Sequence, residues 1–439
     1  MEEAHYIKAV RDQYDAYPYP PRNPEDERIR LENSWHDFLE VINFYCFKGK
    51  NTFSQEFRVL VAGGGTGDQT IFLAEQLRPN RRAEVVHLDI SANGIAIAKR
   101  RAEVRKLANI TWVRGSVLDL PSLPLGRFDY INCVGVLHHL EDPAAGLRAL
   151  NAVLKDNGAM MIMLYGKYGR TGVYQMQELM RRTNLDEADL RTKIENTKAV
   201  LAGLPKTNWF KRSEDVIGDH REFGDAGIVD LLLHAQDRPF TVEELYDLVE
   251  GCNLQVVELL ERGRYNYKVE WYIRDARILD KVGALPRKQQ QAIAELIAGG
   301  MIVHNFYVAR KADTVATPDD LRNVPFYFLD PPRNVPELIE RSRGQRIKIE
   351  APLYAAPVEF VPGRYTGAIF KALDGDRSLK EIFEQVRQDH GLSEQQLPND
   401  ELLKEFLPIY RQFNDLGWML LRHRSVGKFR SIEELQRSV

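Results

Sequence analysis

Arg58-Val59-Leu60-Val61-Ala62-Gly63-Gly64-Gly65-Thr66-Gly67-Asp68-Gln69-Thr70 decides how the rest of the chain is read. The apolar run Val59 to Ala62 suits a strand buried on both faces. Gly63, Gly64, Gly65 and Gly67 then permit a tight turn at which a ligand can approach bare backbone, because a Cβ would fill the space it needs. Gln69 to Leu77 has helical spacing. Strand, glycine turn and helix start together form a nucleotide-binding corner.

The neighbouring stretches extend this pattern. Val85 to Asp89 is a second apolar run with an acid at its carboxyl end, where a carboxylate can hydrogen-bond ribose hydroxyls. Ala92 to Leu107 reads as an amphipathic helix whose Lys99, Arg100, Arg101, Arg105 and Lys106 form a solvated basic face. Ile110 to Val113 is a third strand, followed by the loop Arg114 to Pro121. Arg127 to Val134 is a fourth strand, followed by Gly135 to Pro143. Leu147 to Leu154 reads as a helix, Asp156-Asn157-Gly158 as a turn and Ala159 to Leu164 as a fifth strand. Loops at the carboxyl ends of such strands line the ligand crevice, so His138 or His139 is placed to act as a general base.

The Gly63, Gly65, Gly67 triplet, Asp89 and the wording Phe128-Asp129-Tyr130-Ile131 with Val136-Leu137-His138-His139-Leu140-Glu141-Asp142-Pro143 resemble the class I S-adenosylmethionine (SAM)-dependent methyltransferases. The resemblance implies a Rossmann-like α/β fold with a seven-stranded, mostly parallel sheet whose last strand is antiparallel. It implies SAM as cofactor, S-adenosylhomocysteine (AdoHcy) as product, and no metal. The implied cofactor-binding residues are Gly63, Gly64, Gly65, Gly67, Asp68, Asp89, Ser116, Val117 and Gly135. The family's leading acid falls on Val61, so the methionine amino group must meet backbone carbonyls or Asp68 instead. The adenine-binding acid falls on Ser116, whose hydroxyl can still accept a hydrogen bond; Asp119 comes too late and closes the turn. Spermidine synthases share a triple-glycine turn, but Gly135 stands where they carry a catalytic Asp. An aminopropyltransferase-like enzyme and a SAM-binding module without chemistry are the alternative readings.

Ala4 to Tyr14 has helical spacing and is closed by Tyr17-Pro18-Tyr19-Pro20-Pro21, and Leu31 to Phe47 reads as a second helix. Proline-set aromatic rings can cover a sulfonium and exclude water, as an N-terminal helix does in some of the resembling family, which nominates Tyr14 and Tyr19 ahead of Tyr17. The stretch from about 166 to 240 is long enough to be a helical cap that selects the substrate. Tyr165, Lys167, Tyr168 and Arg170 at its start are candidate substrate contacts, and Lys167, Arg170, Lys211 and Arg212 would suit an anionic acceptor. Thr241 and Glu244 form a capping box. Gln255 to Leu260, Pro286 to Ala298 and Ile302 to Arg310 then give the strand, helix and closing strand of the family's final hairpin. Tyr265, Tyr267, Trp271 and Tyr272 read as core or cap aromatics.

Asp313 to Pro336 is dense in Pro and Asp and reads as a linker. Val358 to Val361, Thr366 to Leu373, Leu379 to His390, Glu401 to Leu416 and Trp418 to Leu421 follow as strand, three helices and strand. That order suggests a small winged-helix-like α+β domain. Its third helix carries Glu401, Glu405 and Asp415 beside Lys404 and Arg411, which does not neutralise phosphates, so dimerisation or peptide capture is expected there rather than DNA binding. The expected organisation is a helical and aromatic lid over 1–57, a methyltransferase domain over 58–312, a linker over 313–350 and the winged-helix-like domain over 351–439.

Composition narrows the function. A formal charge of -3 gives no broad phosphate-binding surface, so nucleic acid is not expected as a partner. No stretch approaches the roughly 20 apolar residues of a membrane helix, and Met1-Glu2-Glu3 lacks a signal peptide's basic start. The expectation is a cytoplasmic protein. Cys46, Cys133 and Cys252 are isolated and read as structural thiols. The acceptor, a small molecule or a peptide or protein, is not written in the sequence, and neither is the choice among O-, N- and C-methylation.

Overall fold

Alternating apolar strands and amphipathic helices give the βα order of a doubly wound sheet. The computed structural model describes residues 5–268, 273, 275–329, 334–350 and 357–437. In chain order the elements that build the sheet are α1 (His5–Ala16), α2 (Leu39–Cys46), β1 (Phe57–Ala62), α3 (Asp68–Leu77), β2 (Ala83–Asp89), α4 (Ala92–Val104), β3 (Ile110–Arg114), β4 (Phe128–Val134), α5 (Pro143–Ala152) and β5 (Leu154–Tyr165). The insertion forms α6 (Thr171–Thr183), α7 (Leu190–Gly203), α8 (Trp209–Ser213), α9 (Asp219–Glu222) and α10 (Gly224–Leu232). The sheet closes with α11 (Val242–Glu250), β6 (Gln255–Leu259), α12 (Ala276–Gly283), α13 (Arg287–Ala298) and β7 (Val303–Ala309).

The strand order is β3-β2-β1-β4-β5-β7-β6, with β7 antiparallel to both β5 and β6. The seven-stranded, mostly parallel α/β sheet with an antiparallel last strand is therefore as expected. Alternate residues of β1 face opposite cores. Val59 and Val61 join Tyr130, Tyr307, α2 and the C-terminal Phe370, Phe406 and Phe413. Leu60 and Ala62 join Val86, Ile131, Met160, α5 and α11. This period of two fixes the register, since a slip by one residue would exchange the two cores.

Some boundaries differ from the sequence reading. Helix α5 starts at Pro143, earlier than Leu147, because Asp142 caps it by accepting from Ala144 N–H at 2.9 Å and Pro143 suits a first turn. The Asp156-Asn157-Gly158 turn is absorbed into β5 as an irregularity between the pairs Phe128–Leu154 and Tyr130–Ala159. The helix expected over Leu31 to Phe47 is interrupted at Phe38, which is extended, and only Leu39–Cys46 is α-helical. Within the Pro- and Asp-dense segment, β8 (Asn323–Tyr327) pairs with β11 (Met419–His423), and Pro325 fits there because a two-stranded sheet leaves one edge of β8 unpaired.

The remaining C-terminal elements are α14 (Val335–Ser342), the antiparallel pair β9 (Ile347–Ile349) and β10 (Val358–Phe360), α15 (Thr366–Lys371), α16 (Leu379–His390), α17 (Asn399–Asp415) and, after β11, α18 (Ile432–Gln436). Trp271 and Tyr272, named above as core or cap aromatics, lie outside the described residues. Among the described residues no helix is long and apolar enough to cross a membrane. All three cysteines are buried and free.

Candidate active site

The loops that leave β1, β2, β3 and β4, together with the end of β5, meet around a cavity of about 290 Å³. The order of strands reverses between β1 and β4, the switch point at which α/β sheets bind ligands. Gly63 (φ +76°) follows β1 and faces Val136 after β4 so closely that an added Cβ would lie 2.2 Å from Val136 Cγ2. Gly135 (φ +76°) lines the cavity too, and its nearest neighbour to an added Cβ is Met163 Cε at 3.8 Å. An L-residue at either position would be strained, and at Gly135 it would narrow the cavity.

Asp89 ends β2 and is held by backbone. Its Oδ2 accepts from Gly65 N–H at 2.7 Å and its Oδ1 from Ser91 N–H at 2.7 Å. Each oxygen keeps acceptor capacity, and Asp89 lines the cavity. Burial raises its pKa, with the two N–H groups acting against that rise. Ser116 and Val117 line the cavity after β3. Ser116 Oγ accepts from Leu118 N–H at 3.2 Å, and Asp119 accepts from Ser116 N–H at 2.9 Å, so Asp119 closes the turn as its spacing suggested. Asp68 lines the cavity but has its carboxylate taken up: Arg22 donates to it at 2.7 to 3.2 Å and Arg101 at 2.6 Å. Burial alone would raise the Asp68 pKa, yet the two guanidinium groups hold it below the ordinary carboxylate value. Gly67 does not line the cavity. It starts α3 with φ +104° and packs against Ala98.

The opposite end is built from distant segments. Tyr14 and Tyr19 from the N-terminal segment, His139 after β4, Tyr165 at the end of β5 and Asp230 on α10 all line the cavity, whereas Tyr17 does not. Tyr14 Oη donates to Asp230 Oδ1 at 2.8 Å, and Tyr19 Oη donates to Asp219 at 3.2 Å, so the N-terminal segment is tied to the insertion. Burial pushes the Asp230 pKa up to about 7.

His139 and His234 stack at 3.8 Å, and the backbone N–H and C=O of one residue, Gln236, set their tautomers. Gln236 C=O lies 2.8 Å from His139 Nδ1, and a carbonyl only accepts, so Nδ1 carries the proton and Nε2 keeps its lone pair. Gln236 N–H donates to His234 Nδ1 at 3.0 Å, so the neutral His234 ring carries its proton on Nε2, 3.1 Å from Tyr14 Oη. The chain His234 Nε2–H to Tyr14 Oη–H to Asp230 is thus directed. Burial lowers the pKa of both histidines.

His139, Asp230 and His234 could place ligand atoms within 4.8 Å of one another, but His234 Nε2 holds a proton in this arrangement. Two open donors remain, fewer than a protein metal site uses, so the donor set does not fit a metal.

The other nominated residues lie off the cavity. His138 is fully buried, stacked on Tyr165 at 3.8 Å. Lys167 is exposed and pairs with Glu244 at 3.6 Å, and Tyr168 is exposed. Arg170 is buried 3.6 Å from the Tyr165 ring centre and 3.8 Å from Asp237. Lys211 pairs with Glu214, and Arg212 lies over Trp209. None of these four cations lines the cavity. Sequence reasoning passed over Asp230, His234 and Gln236 as sites; two polar residues four apart at the end of an apolar helical run were the available signal.

Comparisons with known proteins identify the family and the fold. Residues 60–160 match the family model described as a methyltransferase domain. The chain is 32% identical over 307 residues to an uncharacterized protein of Synechococcus sp., an alignment covering 69% of this chain and 72% of that relative. It is 34% identical over 116 residues to the tRNA 5-carboxymethoxyuridine methyltransferase of Escherichia coli, covering 26% of this chain and 42% of the enzyme. The structure is similar in fold to PKMT2 from Rickettsia typhi, solved in complex with AdoHcy, with a TM-score of 0.61, 16% identity and coverage of 92% of this chain and 77% of that one.

Proposed function

The chain belongs to the class I SAM-dependent methyltransferases, and from that premise we propose that methyl transfer takes place in this cavity, with the Asp89 end holding the cofactor and the His139 end receiving the acceptor. SAM supplies a methyl group made electrophilic by its sulfonium and leaves as AdoHcy. Asp89 binds the ribose hydroxyls with the acceptor capacity its two N–H partners leave free. Ser116 and Val117 receive the adenine edge. The bare backbone of Gly63 to Gly65 and Gly135 lets the amino-acid portion lie close to the main chain. With Asp68 engaged by two arginines, backbone carbonyls rather than that carboxylate are proposed to meet the methionine amino group.

His139, not His138, is proposed as the proton acceptor. The observation that carries this reading is the Gln236 carbonyl on His139 Nδ1, which leaves Nε2 with a lone pair in a residue that lines the cavity. Tyr14 and Tyr19 cover the site and exclude water from the reacting atoms. The acceptor is a small molecule or a group on a peptide or protein. The test is turnover of SAM to AdoHcy in the presence of cell extract, followed by mass spectrometry of what gains a methyl group. Wild-type protein is expected to turn over and Asp89→Ala to do so only at much higher SAM. No turnover above a boiled control would contradict the reading.

A further inference from the structure

The acceptor end of the cavity has a marked charge and ring composition. Asp68, Asp89 and Asp230 line the cavity, and among the described residues no Lys or Arg does. Asp68 is neutralised by Arg22 and Arg101, and Asp89 lies at the cofactor end, so Asp230 is the carboxylate that faces the acceptor. Tyr14, Tyr19 and Tyr165 line the cavity as well, and Tyr14 bonds Asp230 directly. Tyr14 donates to only one of Asp230's oxygens, and Asp230 is 3% exposed. A buried carboxylate among aromatic rings repels an anion twice over, by its charge and by the negative ring faces, and attracts a cation by both. An independent feature points to a ligand that gives up a proton: His139, 5% exposed, lines the cavity with an Nε2 that makes no hydrogen bond among the described residues.

We propose that Asp230, the surrounding tyrosines and His139 form a subsite for an amine acceptor, and that the reaction is N-methylation. The inference rests on the placement of the cofactor given above. The amine enters as an ammonium ion paired with Asp230. It gives one proton to His139 Nε2, which frees the nitrogen lone pair. That pair forms the new N–C bond to the methyl carbon while the electrons of the broken C–S bond stay on sulfur. The products are a methylated ammonium ion, neutral AdoHcy and a protonated His139, so charge is conserved at two positive units from start to finish. Burial makes His139 a weak base, and desolvation lowers the pKa of the bound ammonium against the opposing pull of the Asp230 carboxylate. Tyr14 acts as a positioning residue: by bonding both Asp230 and His234 it fixes the carboxylate beside the histidine pair. Arg170, outside the lining and paired with Asp237, backs the Tyr165 ring and does not meet the acceptor.

The test uses the full chain with AdoHcy bound, titrated with n-butylammonium, with butyrate and with a short peptide carrying one lysine, each followed by ligand-detected NMR. Ammonium binding at least about ten-fold tighter than butyrate binding is expected, since only one of the two forms a charge-assisted pair. Asp230→Asn should remove that preference while leaving AdoHcy affinity by calorimetry within about two-fold. Tighter binding of the peptide than of n-butylammonium assigns the amine to a side chain, and the reverse assigns it to a free small molecule. Absence of ammonium binding, equal or stronger butyrate binding, or an Asp230→Asn protein that keeps the preference overturns the inference. The wild-type comparison decides even if the variant does not fold. Failure to bind AdoHcy would instead overturn the cofactor placement and the subsite with it.

Discussion

The two ends of the cavity are built by different means. At the cofactor end, each contact comes from a loop that follows its own strand, and backbone does much of the work: Gly65 N–H and Ser91 N–H hold Asp89, and Gly63 meets Val136 across the switch point. At the proposed acceptor end, side chains from the N-terminal segment, the loop after β4, the end of β5 and α10 converge, and Tyr14 meets Asp230 across 216 residues of chain. A site made of backbone is specified by glycine spacing on a strand. A site made of side chains is specified only once the topology has brought its segments together, which is why members of one fold can share a donor and differ in acceptor.

That contrast can be broken by substitution, because a change at one end should leave the other intact. The largest effect is expected from His139→Ala, which should lower kcat by roughly 100-fold or more, the usual range for losing a general base, with little change in AdoHcy affinity. The acid limb of the wild-type kcat profile, which reports the complex with Asp230 already paired, should lie below the ordinary histidine value of 6.5, because burial lowers the His139 pKa. Unchanged kcat in the variant would remove His139 from the chemistry. Tyr14→Phe should have a smaller effect, about ten-fold on kcat/KM, since it strips one hydrogen bond from both Asp230 and His234 and leaves buried polar atoms unpaired. An equal loss of AdoHcy affinity would mean that Tyr14 serves the cofactor instead.

The smallest effect concerns stability. Burial raises Asp230 from its ordinary 3.8 to about 7, so between those values the folded protein holds a proton the unfolded chain has released. Stability therefore falls as pH rises through that window, and the cost is complete above it. Asp230→Asn lacks this cost. Its Tm relative to wild type should rise by about 1–2 °C between about pH 5 and about pH 8. A difference that stays flat with pH would mean that Asp230 is ionised throughout.

The same contrast explains what the sequence made legible. The glycine turn, Asp89 and the fourth-strand loop were readable because strand period, glycine and acid lie within a few residues of one another. Tyr14, Tyr19, Tyr165 and His139 were nominated by residue type and position, and all four line the cavity. Lys167, Tyr168 and Arg170 were nominated by the same reasoning and lie off it, because residue type does not say which way a loop turns its side chains. Asp230, His234 and Gln236 sat within a stretch read only as cap helix. The decisive contribution of Gln236 comes from its backbone N–H and C=O, which no side-chain pattern encodes. In the fold, two of the differences came from tertiary partners: β8 exists because β11 pairs with it, and the second α-helix begins only at Leu39, after Asp37, which is buried and accepts from Asn132 at 2.7 Å.

The central claim is that donor and acceptor occupy opposite ends of one cavity, with Asp89 on the donor. Calorimetric titration of AdoHcy into wild type, Asp89→Ala and His139→Ala tests it most directly. The account predicts that Asp89→Ala weakens binding by about 2–4 kcal/mol, roughly 30- to 1,000-fold, because charge-assisted hydrogen bonds are lost, while His139→Ala binds as wild type does. Equal affinities for the two variants would contradict it.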